Sequence, residues 1–540
     1  MKNHARRSSL ALSILPFLAA GVVGCGAASE DEGASGPLPF SGSPGSTTAP
    51  GGTPPATSGE NPAPGGTPGT SSPNAPSEAP LVNGGTPIAP GQQPGTTPTP
   101  GAPTGMNPTP GQTPGTPQPG PLVPPFEPGP PNDNRAVGTP NLLVDVLGRT
   151  PAEVDTKVRG AVNRFFGIGS TDPTTPSVGN GGARSFYVLP QDNSLGFVWA
   201  ADSNDIRSEG MSYGMFIAVQ MDMQQQFDQL WRFAKRFMQY PADPAADLAG
   251  WRLYFRWTGR VDSSAANNWQ VTYAANEPPA SDGEEYFAAA LYLADRRWGS
   301  AGELNYQADA DALSHAMLHN PTSAGRTSLI NAESNQVTFV PYGTSAEHSD
   351  PSYHLPAFYE LFATDGPQVN RERWEQIAEV SRDYFVRSAH PTTGLHPDYA
   401  EFDGTPTQGY SASNHDSFRF DAWRVPLNMA VDVAWSGQDQ RLRTQLDKYL
   451  TFFGSRIANG NVSANGFNLD GSGATGGGSP GLTATLAAAT IGSSNASSMT
   501  YLNNLWTVAQ PTGQYRYYQG AVYLLGMLAA SGNFDNGFAR

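Results

Sequence analysis

Apolar residues recur at the helical spacing of 3.6 through the second part of the chain. The stretches are 152–166, 208–240, 283–298, 305–319, 354–364, 371–388, 426–435, 440–457, 482–490, 498–508 and 518–530. Gly, Pro, Asn and Asp punctuate the gaps between them. Alternation of period two is scarce: only Phe186-Tyr187-Val188-Leu189 and Gln336-Val337-Thr338-Phe339-Val340 read as short strands. The pattern predicts an all-α unit of about a dozen helices. An open solenoid or a closed double ring would hold that many together. No repeat of fixed period runs through the stretches, which argues against the solenoid.

The first part of the chain lacks this pattern. Residues 1–25 have the form of an export signal: Lys2, Arg6 and Arg7 precede an apolar run, Leu10 to Val23, too short for a permanent membrane span. It ends Val22-Val23-Gly24-Cys25, which resembles a bacterial lipobox, with Cys25 as the lipidated residue and the outer membrane or cell surface as the destination in a Gram-negative cell. Cys25 is also the only cysteine, so the chain makes no internal disulfide and no Cys-built metal site. Residues 26–135 are dominated by Pro, Gly, Thr and Ser and hold most of the 50 prolines. So few apolar residues cannot offset the entropy of ordering, and an extended disordered tether is expected. Residues 136–540 form the folded unit; Gly471 to Gly481, rich in Gly and Ser, reads as a loop within it.

A formal charge of −16 argues against nucleic acid as a partner and against contact with anionic lipid other than through a lipid on Cys25. No Gly-x-Ser-x-Gly elbow, P-loop or His-Glu-x-x-His is present. His315 and His319 stand four apart without an evident third ligand, so neither metal nor cofactor is expected.

Four stretches carry candidate chemistry. In Arg207-Ser208-Glu209-Gly210-Met211-Ser212-Tyr213-Gly214, Ser208 reads as an N-cap, and Glu209 enters a mostly apolar helix where a lone charge is costly. Gly210 and Gly214 weaken the helix but let something approach closely. In Asp282-Gly283-Glu284-Glu285-Tyr286-Phe287, Asp282 and Glu285 have the spacing of a capping box. In Asp350-Pro351-Ser352-Tyr353-His354-Leu355-Pro356, Pro356 suits a first helical turn and leaves Tyr353 on the loop before it. In Asp421-Ala422-Trp423-Arg424-Val425-Pro426, the helix is expected to begin near Pro426, with Asp421 in irregular chain ahead of it and Arg424 paired with it to keep it ionised. Trp251, Trp257 and Trp269 read either as core or as platforms for the apolar faces of sugars.

The wording and order of these stretches resemble family 8 of the glycoside hydrolases, which contains cellulases, xylanases, chitosanases and reducing-end exo-oligoxylanases. The resemblance implies an (α/α)6 barrel acting by inversion on a polysaccharide or oligosaccharide, as a monomer and without a cofactor. By resemblance, Glu209 is the general acid and Asp421 the general base. Asp282 binds the sugar at the point of cleavage, Tyr353 holds the attacking water, and Trp257, Arg424 and Tyr213 complete the cleft. The Asp-Gly-Glu-Glu-Tyr-Phe run resembles the xylan-active branch. The exo-oligoxylanases carry a bulky Leu-His-Pro late in the chain; the matching place here is Gly478-Ser479-Pro480, which points to endo action on β-1,4-xylan. Exo action, a glucan or chitosan substrate, a polysaccharide lyase and a non-catalytic glycan-binding lipoprotein stay open on the sequence.

Overall fold

The structure, a computed structural model, describes residues 138–538 apart from 244–246, 248–249, 410–413, 438 and 459. The expected signal, Cys25 and the linker lie outside the described residues.

The short α1 (Leu142–Asp145) leads to α2 (Pro151–Phe166). A full capping box starts α2: Thr150 Oγ1 accepts from the Glu153 amide, and Glu153 accepts from that of Thr150. The antiparallel hairpin β1 (Phe186–Leu189) and β2 (Asp192–Val198) follows. β3 (Ile206–Arg207) runs into α3 (Ser208–Gln220) and α4 (Gln224–Phe233). β4 (Thr258–Asp262) and β5 (Gln270–Tyr273) complete a three-stranded sheet in the order β3-β4-β5. Then come α5 (Ser281–Trp298), α6 (Tyr306–His319), β6 (His348–Ser349), α7 (Pro356–Asp365), α8 (Arg371–Ser388) and β7 (Ala400–Glu401), which pairs with β6. The chain ends through α9 (Val425–Ser436), α10 (Gln440–Gly454), α11 (Pro480–Ala489), α12 (Ser498–Thr507) and α13 (Tyr518–Ala530).

These helices sort by their apolar pattern. α3, α5, α7, α9, α11 and α13 are buried nearly all round, whereas α2, α4, α6, α8, α10 and α12 bury one face. A helix apolar on every side belongs inside and an amphipathic one outside. The inner helices touch in a cycle, α3 to α5, α7, α9, α11, α13 and back to α3. Each has an outer partner: α4, α6, α8, α10, α12 and α2 respectively. This arrangement fits an (α/α)6 barrel.

The periodic stretches match the helices closely, and β1 forms where expected. Residues 208–240, read as one helix, are in fact two, broken at Met221-Asp222-Met223 with Asp222 left-handed at φ 58°. No Gly or Pro marks that break. Aspartate tolerates this conformation, and the Asp222 carboxylate here accepts the Trp298 indole N–H at 2.8 Å. The expected strand over Gln336–Val340 is also absent: only Val337 makes a bridge, to Ile330, because Thr338 and Phe339 donate to different segments, Leu329 and His348. β2, β4 and β5 are polar enough that alternation did not reveal them.

Inner helices approach closely where small residues face each other. A side chain at Gly526 of α13 would lie 2.5 Å from the backbone carbon of Ala484 in α11. Gly526→Ala is therefore expected to push α11 from α13 and to destabilise the protein by about 1–3 kcal/mol, read as a lower denaturant midpoint at unchanged slope.

Candidate active site

The site is built where inner helices begin. α3 starts without a side-chain cap. Ser208, expected as the N-cap, is instead the first helical residue, and its amide donates to the Trp257 carbonyl at 2.9 Å. It is buried against the first turn of α5: a side chain at Gly283 would meet Ser208 Oγ at 2.6 Å. The next residue, Glu209, is 2% exposed. Gly210 explains the glycine that follows it, since a side chain there would strike the Tyr517 ring at 2.4 Å. Tyr517, immediately before α13, uses that space to donate its hydroxyl to Glu209 Oε1 at 2.6 Å.

α5 also starts without a side-chain cap, so Asp282 and Glu285 do not form the expected capping box. They face inward. Asp282 turns to Arg424, and Glu285 accepts from the Tyr359 hydroxyl. The segment Phe420–Arg424, expected to be irregular, is a 3-10 turn that runs directly into α9. Tyr353 likewise lies in a 3-10 turn, Pro351–Tyr353, which Asp350 caps by accepting the Ser352 amide at 2.6 Å.

Arg424 joins these pieces. Its Nη1 lies 3.0 Å from Glu209 Oε2 and 3.1 Å from Asp282 Oδ2, and donates to the Tyr213 hydroxyl at 2.6 Å. Its Nη2 lies 3.0 Å from Asp421 Oδ1 and 3.6 Å from Asp350 Oδ2. The guanidinium stands 5.4 Å from the centre of the Tyr353 ring and 5.9 Å from that of Tyr518. Five of the residues expected at the site, Glu209, Tyr213, Asp282, Asp421 and Arg424, thus meet at one guanidinium, with Tyr353 beside it. Asp350, Tyr517 and Tyr518 belong there too. Asp350 was part of the stretch read for Tyr353, but adjacency to a tyrosine gives a carboxylate no role. The run Tyr515-Arg516-Tyr517-Tyr518-Gln519-Gly520 resembles the start of the last inner helix of family 8, with aromatics that could line the cleft, but the glycine against which Tyr517 packs lies 307 positions earlier, a pairing the sequence does not give.

One cation faces four buried carboxyl groups. Burial and the neighbouring Glu209 push Asp282 up to about 7, with Arg424 opposing. Burial pushes Asp350 up to about 8, against Arg424 and with Asp398 adding to it. Burial pushes Asp421 well up as well; Arg424 opposes, and Asp350, Asp398 and Glu209 add to the rise. Arg424 therefore contacts Asp421 as expected but does not by itself hold it ionised, because the guanidinium is divided among several carboxyls in a dry setting.

Trp257 sits at the edge of this group. Its indole lies under the Arg207 guanidinium, 5.6 Å from the ring centre. Its backbone holds the start of α3 through Ser208. Trp251 and Trp269 are 3% and 5% exposed and pack on Tyr240 and Phe197, which places both in the core. His315 and His319 share Asn370 between them.

Residues 198–532 match the model of glycosyl hydrolases family 8. The chain belongs to this family. Among solved structures, a family 8 xylobiose complex from Teredinibacter turnerae is 37% identical with a TM-score of 0.64, over 74% of this chain and 97% of that one. A reducing-end xylose-releasing exo-oligoxylanase from Paenibacillus barcinonensis is 34% identical over 65% of this chain and 87% of its own. Endoglucanase A from Acetivibrio thermocellus is 29% identical over 62% and 64%. The protein is thus a glycoside hydrolase, and its matched region contains every residue of the Arg424 cluster.

Two outcomes follow for this family 8 enzyme. Gly283→Ala should push Ser208, and Glu209 with it, out of place; a displacement near 1 Å costs about 10²-fold in kcat, while circular dichroism stays as in wild type. The raised carboxyls also make stability depend on pH. Asp282, Glu277 and Asp350 hold protons in the folded state up to about 7, 7 and 8, against about 4 in the unfolded chain. The folded state binds more protons in that window, so stability is full at its acid end and falls as pH rises through it. Thermal midpoints should drop from pH 5 to pH 8; a flat or rising series would contradict the buried, protonated cluster.

Proposed function

We propose that this glycoside hydrolase cleaves β-1,4-xylosidic bonds inside xylan chains, with inversion, in an (α/α)6 barrel. Glu209, protonated, gives its proton to the leaving glycosidic oxygen as the C1–O bond breaks. Asp421 takes a proton from the water whose oxygen bonds to C1 from the opposite face. Asp282 holds the sugar, Tyr353 holds the water, Tyr213 and Arg424 fix the carboxyls, and Trp257 lines the cleft.

The observation that carries this reading is the position of Arg424. Its two terminal nitrogens stand 3.0 Å from Glu209 and 3.0 Å from Asp421. The two carboxyls therefore flank one guanidinium, each on its own terminal nitrogen. An inverting pair needs about 6.5–9.5 Å, to admit a water on the far side of the sugar. One cation among four buried carboxyls also leaves protons on Asp282 and Asp350 near neutrality.

Xylan is favoured by the resemblance of the α5 start and by the relatives' substrates: a xylanase from Teredinibacter turnerae, solved as a catalytic mutant with xylohexaose, is 36% identical over 74% of this chain. Endo action is favoured at Gly478-Ser479-Pro480. Gly478 has no side chain, and Asn461 fills the space one would take. Ser479 is buried and caps α11 by accepting the Leu482 amide at 3.2 Å. Neither projects a bulky group that would close a cleft. The same reading makes the protein an exported monomer, anchored by a lipid on Cys25 and held away from the membrane by residues 26–135.

Incubation with xylohexaose tests it. Wild type should release xylobiose to xylotetraose, with the newly formed reducing end in the α configuration by NMR. Glu209→Gln and Asp421→Asn should each lower kcat by about 10²–10⁴-fold. Release of xylose alone from the reducing end would replace the endo assignment by exo; retained activity in either variant would remove that residue from its role.

A further inference from the structure

Asp398 and His415 form a buried pair behind Asp421 that the hydrolytic step does not use. Asp398 is 0% exposed. Its Oδ1 accepts the amide N–H of Ala422, the residue after Asp421, at 3.2 Å. Its Oδ2 lies 3.0 Å from His415 Nδ1 and 3.9 Å from Arg419 Nε. The pair is fixed by backbone: the Asp398 amide donates to Ser417 and the Tyr399 amide to His415. An aromatic ladder leads from it to the other side of the site. The His415 ring stacks on Tyr399 at 4.2 Å, Tyr399 meets Phe339 tilted at 4.4 Å, and Phe339 stacks on Tyr353 at 5.8 Å.

We infer that Asp398, held by His415, is a positioning residue for the base half of the site: it fixes the turn that carries Asp421 and sets a negative charge behind that carboxyl. This rests on the assignment of Asp421 as base. The groups facing Asp421 are Glu209 at the start of α3, Asp350 before α7, Asp398 after α8, Arg424 on its own turn and Tyr518 of α13. Glu209 and Asp350 also meet Arg424, at 3.0 and 3.6 Å, whereas Asp398 bonds the Asp421 turn through the Ala422 amide. Its charge acts in the direction that makes Asp421 hold a proton more tightly.

Asp398→Asn separates this role from a merely structural one, because it keeps an oxygen for the Ala422 amide and removes the charge. A base must be ionised to act, so losing a neighbouring negative charge moves the acid limb of the kcat–pH profile on xylohexaose to lower pH. The expected result is that shift, with kcat at the optimum lowered about 10-fold as the base weakens and KM within about 2-fold. Asp398→Ala loses the amide acceptor too and is expected to lower kcat about 10²-fold. If that variant does not fold, Asp398→Asn still decides. An unmoved acid limb in folded Asp398→Asn, or a change in KM alone, would overturn the proposal. Asp421→Asn measured beside it keeps the two readings apart. If Asp421→Asn is active, the base assignment fails; if it is inactive and Asp398→Asn matches wild type, only the role of Asp398 fails.

Discussion

Arg424 is the constraint on which the rest depends. It is 2% exposed, and Glu209, Asp282, Asp350 and Asp421 lie within 3.6 Å of it. Removing one partner of a buried ion pair costs about 3–5 kcal/mol, because the other charge is left without compensation. Here one cation compensates a group of carboxyls that could not otherwise be packed together out of water. Their positions follow from the cycle of inner helices. Glu209 and Asp282 lie in first helical turns, Asp421 in the turn that becomes α9, Asp350 in the turn before α7, and Tyr517 just before α13. Helix starts favour negative charge, so the place where these inner helices begin can hold this many carboxyls.

That convergence requires close backbone approach, which glycine supplies. Gly210 admits Tyr517 and Gly283 admits Ser208. Each contact fixes Glu209 from a different neighbour, α13 on one side and α5 on the other. Phe255 and Trp257 add a third support: the Phe255 amide donates to Glu284, and the Trp257 carbonyl accepts from Ser208. The same segment that carries Trp257, proposed to line the cleft, therefore also holds the first turn of α3. Burial pushes Glu284 well up, which suits an acid held among apolar groups with one oxygen bonded to the chain.

How much of this the sequence carried depended on which interactions are local. Helix existence was legible, because the 3.6 period records one buried stripe or a wholly buried helix. The break at Asp222 was not, because a left-handed aspartate leaves no mark in composition. The carboxyls and Arg424 were legible as words in family order. Their bland alternatives, an N-cap at Ser208 and a capping box at Asp282 and Glu285, were equally local and gave way to tertiary partners. A spacing rule describes what a residue can do within its own turn; Asp282 and Arg424, separated by 142 positions, fall outside any such rule. The bond from Tyr517 to Glu209 and the role of Asp398 are invisible for the same reason.

The proposed acid, Glu209, and the proposed base, Asp421, differ in how they are held, and that difference bears on the roles proposed for them. Glu209 is held by side chains, the Tyr517 hydroxyl and Arg424, and both bonds are to its carboxyl oxygens. Asp421 is held through its backbone, by Asp398 at the next amide, while among the described residues its own carboxyl meets Arg424 alone at ion-pair distance. A carboxyl that must donate a proton gains from fixed partners that orient it toward one oxygen. A carboxyl that must receive a proton from a water needs its lone pairs uncommitted and its position fixed from elsewhere. In the described residues that division is what the structure provides: the turn from Phe420 to Arg424 is anchored at its amide, and the oxygen surface of Asp421 is left facing Arg424, with the Tyr353 ring on that guanidinium's other contact.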